Sequence, residues 1–92
     1  MTAKLAGPFR RNPEVLQRSI DGETVLYLPS SDDVVVLDVV GSAVWRQIDG
    51  PVTADTLTDA VALLFDQPRE RIEEDLAPLL AELWAGAWLI AG

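Results

Sequence analysis

The first half of the chain contains three short apolar segments that predict β-strands. They cover residues 15–20, 24–28 and 34–37. Asp21 and Gly22 separate the first two segments and form a strong signal for a tight hairpin turn. A polar segment rich in serine and aspartate separates the last two. The pattern predicts a three-stranded antiparallel sheet in which each strand pairs with the next.

From residue 39 the apolar positions follow a period of 3.6, which predicts helices. The first helix carries Trp45 and Ile48 and ends before Gly50. The second begins after Thr53, a good N-cap residue, and the third begins at Pro68. We therefore predict an α+β fold, in which a three-stranded antiparallel sheet is followed by three helices, in a winged helix-turn-helix-like order.

Pro78 lies inside the third helix, where a proline removes one backbone hydrogen bond. The apolar period continues past it, so we expect one kinked helix rather than two helices. Gly86 is expected to end this helix, and residues 88–90 to add a short strand. Residues 1–13 show no sustained period, so we expect a flexible N-terminal arm, followed by one domain over residues 14–92.

The composition excludes several kinds of site. The 92 residues include neither cysteine nor histidine, which rules out thiol chemistry, nucleophile–histidine pairs and disulfides. Adjacent acids of the third helix fan around it and cannot converge on one metal ion: Glu70, Glu73, Glu74 and Asp75. We expect no enzymatic activity, no cofactor and no metal site. Without a signal-like segment or an apolar run of about 20 residues, we expect a cytoplasmic protein with no membrane partner.

The charge distribution bears on the partner. The net charge is −8, and residues 19–92 carry three basic and fourteen acidic side chains, a balance of −11. A nucleic-acid-binding face needs the opposite sign. The second helix, which would be the recognition helix of a winged-helix regulator, contains no Lys or Arg between Thr56 and Phe65. We therefore expect no nucleic-acid partner, and a cationic or neutral peptide suits the charge better.

The third strand, residues 34–37, lacks the charges, proline and polar alternation that normally protect an edge strand. The third helix has more apolar surface than a core-facing stripe requires. One stripe contains Ile72, Leu76, Leu79 and Leu83, and a second contains Leu76, Leu80 and Trp84. Strand and helix together predict a groove to which a peptide adds as a strand. The third helix itself, or a second copy in a dimer, would also cover the strand.

The order Leu37-Asp38-x-x-Gly41-x-x-x-Trp45-x-x-Ile48-x-Gly50, with a helix opening at Thr53, resembles the signature of the PqqD-like family. These proteins are peptide-recognition modules of ribosomal peptide biosynthesis, known as RiPP recognition elements. The resemblance covers about residues 15–90. It implies that the leader region of a precursor peptide lies between the third strand and the third helix and extends the sheet.

Carried over by position, the resemblance implies two sets of peptide-binding residues. The strand would contribute Asp33, Val34, Val35, Val36 and Leu37. The helix would contribute Arg69, Ile72, Glu73, Leu76 and Leu80. The ending around Trp84 and Trp88 departs from the usual family pattern, and we assign no role to these two residues.

A free-standing module of this length most resembles the lasso-peptide members of the family. Those proteins present the captured precursor to a separate leader peptidase, and a cyclase is a further candidate partner. A peptide chaperone for a radical SAM enzyme in redox-cofactor biosynthesis is the alternative within the same fold. A non-enzymatic winged-helix regulator or a dimerisation subunit remains open as a different class.

Overall fold

The computed structural model describes residues 7–92. In chain order the elements are β1 Phe9–Arg11, β2 Leu16–Ile20, β3 Glu23–Leu28, β4 Asp33–Leu37, α1 Val39–Gln47, α2 Ala54–Phe65, α3 Arg69–Ala85 and β5 Leu89–Ala91. The predicted α+β class is confirmed: three antiparallel strands, β2, β3 and β4, are followed by three helices. No helix within residues 7–92 combines the length and the apolar character needed to span a bilayer.

The main sheet is a meander with the order β2-β3-β4. Its first turn has the predicted form, because Asp21 and Gly22 both take positive φ angles, 52° and 85°. Two positive φ angles give the type I′ turn, whose twist matches that of the flanking strands. The register pairs Leu26 with Gln17 on one side and with Val35 on the other. One face of the sheet therefore turns toward the helices and carries the buried side chains Leu26 and Leu28.

A second, two-stranded sheet joins the two ends of the chain. β1 pairs antiparallel with β5 in the register Phe9 to Ala91. The sequence predicts a flexible arm over residues 1–13; the structure instead places Phe9–Arg11 in this strand, and residues 1–6 lie outside the described residues. Phe9 is only 1% exposed and exchanges two backbone hydrogen bonds with Val52, of 2.8 and 2.9 Å. Burial of one aromatic side chain anchors a segment that is too short to show a period.

Trp45 is the centre of the core and is 1% exposed. Its indole Nε1 donates a 2.8 Å hydrogen bond to Gln17 on β2. From the other side, Arg11 of β1 lies 5.0 Å from the ring centroid and donates to the Trp45 carbonyl oxygen at 2.6 Å. Partial burial lowers the pKa of Arg11, and the nearby Asp49 carboxylate opposes that shift. One tryptophan thus joins α1 to both sheets.

α3 runs without interruption through Pro78. The two-helix alternative is therefore excluded. Pro78 has no N–H, so the Glu74 carbonyl loses its usual helical donor. Both residues are exposed, so water can donate to that carbonyl instead. The side chains that seat α3 on the core are Ile72, Leu76, Leu80 and Leu83.

The end of α3 forms a Schellman motif, in which the last carbonyls of a helix accept bonds from the residues just beyond it. The Trp88 N–H donates to Leu83 at 2.9 Å and the Ala87 N–H to Trp84 at 3.1 Å. Gly86 is the C-cap, as predicted, but the left-handed position belongs to Ala87, with φ 63°. Glycine is needed at 86 for another reason, because a Cβ there would lie 2.6 Å from the Trp88 indole nitrogen.

This geometry predicts opposite effects for two exchanges between glycine and alanine. Gly86→Ala should destabilise the protein by about 1–3 kcal/mol, since the buried Trp88 ring must move. Ala87→Gly should stabilise it by roughly 0.5–1 kcal/mol. The strain of alanine in the left-handed conformation costs more free energy than the extra conformational entropy that glycine loses on folding. Urea unfolding followed by circular dichroism measures both. Equal effects of the two substitutions would contradict the assignment.

Candidate functional site

β4 has one paired and one open edge. Within residues 7–92 it pairs with β3 alone, in a register that runs from Thr24 opposite Leu37 to Leu28 opposite Asp33. Backbone N–H and C=O groups on the other edge therefore have no strand partner in the described chain. An open edge of this kind is a template for a further strand.

The two faces of β4 differ. Val35 and Leu37 turn inward, where Val35 is half-buried against the core and Leu37 is 4% exposed. Val34 and Val36 turn outward and remain 61% and 58% exposed. The inner side chains hold the strand in register, while the outer ones leave apolar surface beside the open edge.

A groove of about 380 Å³ lies between the β4–α1 segment and residues 75–83 of α3. Its lining residues are Val35, Val36, Leu37, Asp38, Val40, Gly41, Asp75, Leu79, Glu82, Leu83 and Trp88. The strand side is largely apolar, and Val40 extends it with a side chain that is 55% exposed. A groove thus lies between the strand and the helix that the sequence analysis named, and the structure shows which part of α3 forms its other wall.

The passage from β4 to α1 is sharp, because a single residue, Asp38, lies between them. Asp38 is the N-cap of α1, and its Oδ1 accepts a 2.7 Å bond from the Gly41 N–H. The Ser42 hydroxyl donates to the Leu37 carbonyl at 3.1 Å. A Cβ at position 41 would lie 3.2 Å from that Asp38 oxygen, so glycine permits the close approach. The Leu37-Asp38-x-x-Gly41 motif thus fixes the junction that shapes one wall of the groove.

The α3 wall alternates charge and apolar surface. Asp75, Leu79 and Glu82 are spaced by four and three residues, which places them on one face of the helix. Leu79 is half-buried and packs against the core, whereas both acids are exposed. Ion pairs in the described part of the chain involve neither Asp75 nor Glu82. Within residues 7–92, both carboxylates are therefore open to a ligand.

The sequence-predicted helix residues lie elsewhere. Ile72, Leu76 and Leu80 are 7%, 4% and 5% exposed and belong to the core. None of the three is among the lining residues, so they support the groove from the core rather than line it. The physical reason is helix phase: the core stripe passes through Leu80, and Leu79, one residue and about 100° away, turns toward the groove.

Arg69 and Glu73 also lie away from the groove lining. The Arg69 guanidinium donates to Asp59 at 2.7 Å and to Asp55 and Glu73 at 2.9 Å each. Hydrogen bonds to Asp59 and then Asp55 raise the pKa of Arg69. Three carboxylates of the protein itself thus occupy this guanidinium, which ties the start of α3 to α2. Of the predicted strand residues, Val35, Val36 and Leu37 line the groove, and Asp33 and Val34 lie beside it on β4.

Sequence reasoning missed Asp75, Leu79 and Glu82 as groove residues. Their common spacing of four and three residues was visible, but Leu79 matched a core stripe and Asp75 matched a solvated face. Only the packing of α3 separates these alternatives. Within residues 7–92, no group of three or more acidic side chains is placed to hold a metal ion.

Comparison with known proteins identifies the family of this chain. The family model described as Coenzyme PQQ synthesis protein D (PqqD) matches residues 23–89, which run from β3 to β5 and include both walls of the groove. The chain belongs to the PqqD family. No curated protein matches it at a significant level.

Two solved structures resemble this PqqD-family protein over most of its length. One, described as TbiB1 in complex with the TbiA(beta) leader peptide, is 26% identical with a TM-score of 0.76, covering 87% of this chain and 93% of that one. The other is the solution NMR structure of the PqqD truncation of Methylobacterium extorquens PqqCD, described as a functional and stand-alone RiPP recognition element. It is also 26% identical with a TM-score of 0.76, covering 97% of this chain and 96% of that one.

The Asp38 cap leads to a prediction about stability. Asp38→Ala removes the acceptor for the Gly41 N–H and should lower the free energy of unfolding by about 1 kcal/mol. Asp38→Asn keeps an acceptor oxygen and is the matched control, with stability close to that of the unchanged protein. Urea titrations of both variants provide the measurement. If the alanine variant matched the asparagine variant, the cap would not determine this junction.

Proposed function

We propose that this PqqD-family protein binds the leader region of a ribosomally made precursor peptide, which adds to β4 as a further strand and fills the groove beside α3. The observation that carries the proposal is the open β4 edge next to that groove. Membership of the family supports it, as does the structural likeness to TbiB1, which is described with a leader peptide bound. Binding, rather than catalysis, is the proposed activity.

The proposed contacts supply affinity of a useful size. Four or five strand hydrogen bonds at roughly 0.5–1.5 kcal/mol each give part of the roughly 8 kcal/mol that micromolar binding needs. Apolar guest side chains against Val36, Val40 and Leu79 would supply the rest, at about 25 cal/mol per Å² of apolar surface removed from water. Association costs offset some of this gain, so we expect micromolar affinity or somewhat tighter.

The proposed contacts use the open backbone edge of β4 and the accessible side chains of the groove. On the strand side they lie in β4, residues 33–37, and the adjoining start of α1. On the helix side they are Asp75, Leu79 and Glu82. Trp88 is 5% exposed and lies at the base of the groove, where its fluorescence would report on a guest.

We further propose that the protein presents the bound precursor to a separate leader peptidase in lasso-peptide biosynthesis. Likeness to TbiB1, which is described in complex with a leader peptide, supports this role. The family description and the M. extorquens relative favour a second candidate, a peptide chaperone for a radical SAM enzyme in redox-cofactor biosynthesis. The genes beside this one discriminate between them: a peptidase and cyclase indicate the first, and a radical SAM enzyme indicates the second.

Leu79 provides the sharpest test of the groove. Leu79→Glu adds a third carboxylate between Asp75 and Glu82 and replaces the apolar contact, so peptide affinity should fall at least tenfold. The matched control is Leu63→Glu, the same change at an α2 side chain that is 85% exposed and outside the groove lining. The control should bind as the unchanged protein does. Short reading frames near the gene that resemble precursor peptides supply the leader segments, which are synthesised and labelled. Fluorescence polarisation with these peptides gives both affinities.

Circular dichroism and thermal unfolding verify that both variants are folded. If a leader segment binds the unchanged protein and a folded Leu79→Glu variant with the same affinity, the groove is not the binding site. If none of the segments binds at 100 micromolar, the proposed leader-binding activity is refuted for those peptides.

A further inference from the structure

The groove carries a pattern of charged side chains that strand addition alone does not require. Three of its lining side chains are acidic, Asp38, Asp75 and Glu82, and within the described residues none of its lining side chains is basic. Asp38 is engaged by the Gly41 N–H, but Asp75 and Glu82 have no ion-pair partner in residues 7–92. Resting on the proposed function, we propose that the groove selects peptides in which basic residues flank an apolar residue on one face of the bound strand.

Helix geometry gives the spacing of this pattern. Asp75 and Glu82 are seven residues apart, about 10 Å along the axis of α3, with Leu79 between them on the same face. A bound strand rises about 3.3 Å per residue, and alternate side chains share a face. A guest with basic, apolar and basic side chains at positions i, i+2 and i+4 spans about 13 Å. Lysine and arginine side chains are long and flexible enough to meet carboxylates about 10 Å apart.

Among residues 7–92, no basic side chain forms an ion pair with the α3 wall. Arg69, at the start of α3, is already bound to three carboxylates. Arg71 lies one turn before Asp75, but the two form no ion pair in the described chain. A guest with acidic residues at the same positions would face like charges, which are unfavourable. The wall therefore discriminates by attraction and by repulsion.

A display experiment tests the specificity without knowledge of the natural precursor. The probe is an mRNA-displayed library of random fifteen-residue peptides, selected on the full-length protein at low salt. We expect enrichment of the basic–x–apolar–x–basic pattern. Asp75→Asn combined with Glu82→Gln should remove the enrichment of basic residues but keep that of the apolar one. Glu70→Gln combined with Glu74→Gln changes the net charge equally on the same helix, outside the groove lining, and should preserve the full pattern.

Affinities of one synthetic peptide with the enriched sequence provide the quantitative test. Two exposed charge pairs predict binding about fivefold weaker for the Asp75→Asn, Glu82→Gln variant at low salt. The difference should shrink in roughly 1 M salt, where charges are screened beyond about 3 Å.

The outcomes separate this proposal from the proposed function. Peptides that require Leu79 but show no basic enrichment would overturn the charge specificity and leave leader binding at the groove intact. Loss of basic enrichment in the Glu70→Gln, Glu74→Gln control would also overturn it, because the overall acidity of the chain would then explain the attraction. Enriched peptides that bind equally well after Leu79→Glu would instead refute the groove itself.

Discussion

The direct passage from β4 into α1 is the constraint on which the rest of the site depends. With only Asp38 between strand and helix, α1 has little freedom in its direction, and the Asp38–Gly41 bond fixes its first turn. α1 then carries Trp45 into the core, where Gln17 and Arg11 hold it from two different sheets. A longer connection would let the β4 edge and the α1 start move relative to α3. The groove would then lose its fixed strand-side wall.

The same strand serves structure and binding through different sides of its backbone. Leu37 and Val35 are anchored inside, whereas the open edge and the outer valines remain accessible. Natural edge strands usually avoid this combination, because exposed apolar edges promote unwanted pairing. Its presence here, next to a groove with an ordered pattern of acids and one leucine, is consistent with a strand that is kept open for a specific guest.

Much of this architecture follows from local sequence signals. The order of the strands of the main sheet and of the helices was predicted correctly from local signals. These are the period change near residue 38, the turn at Asp21 and Gly22, and the Thr53 cap, each of which depends on neighbouring residues. The short final strand expected at residues 88–90 is present as β5. β1 was missed, since a three-residue strand shows no period and Phe9 is buried only by distant partners. The groove face of α3 was also beyond local signals. Leu79 and Leu80 both match apolar stripes, and packing alone decides that Leu80 enters the core. Arg69 is occupied by Asp55 and Asp59 of α2, a pairing that sequence spacing does not reveal.

Isotope-edited NMR tests the central claim most directly. With labelled protein and an unlabelled bound peptide, we expect cross-strand nuclear Overhauser contacts between the peptide backbone and residues 33–37. We also expect the amides on the open edge of β4 to exchange hydrogen more slowly than in the free protein. Those two results together are what an added strand predicts. Contacts confined to another surface, with β4 amides exchanging as fast as in the free protein, would contradict the account.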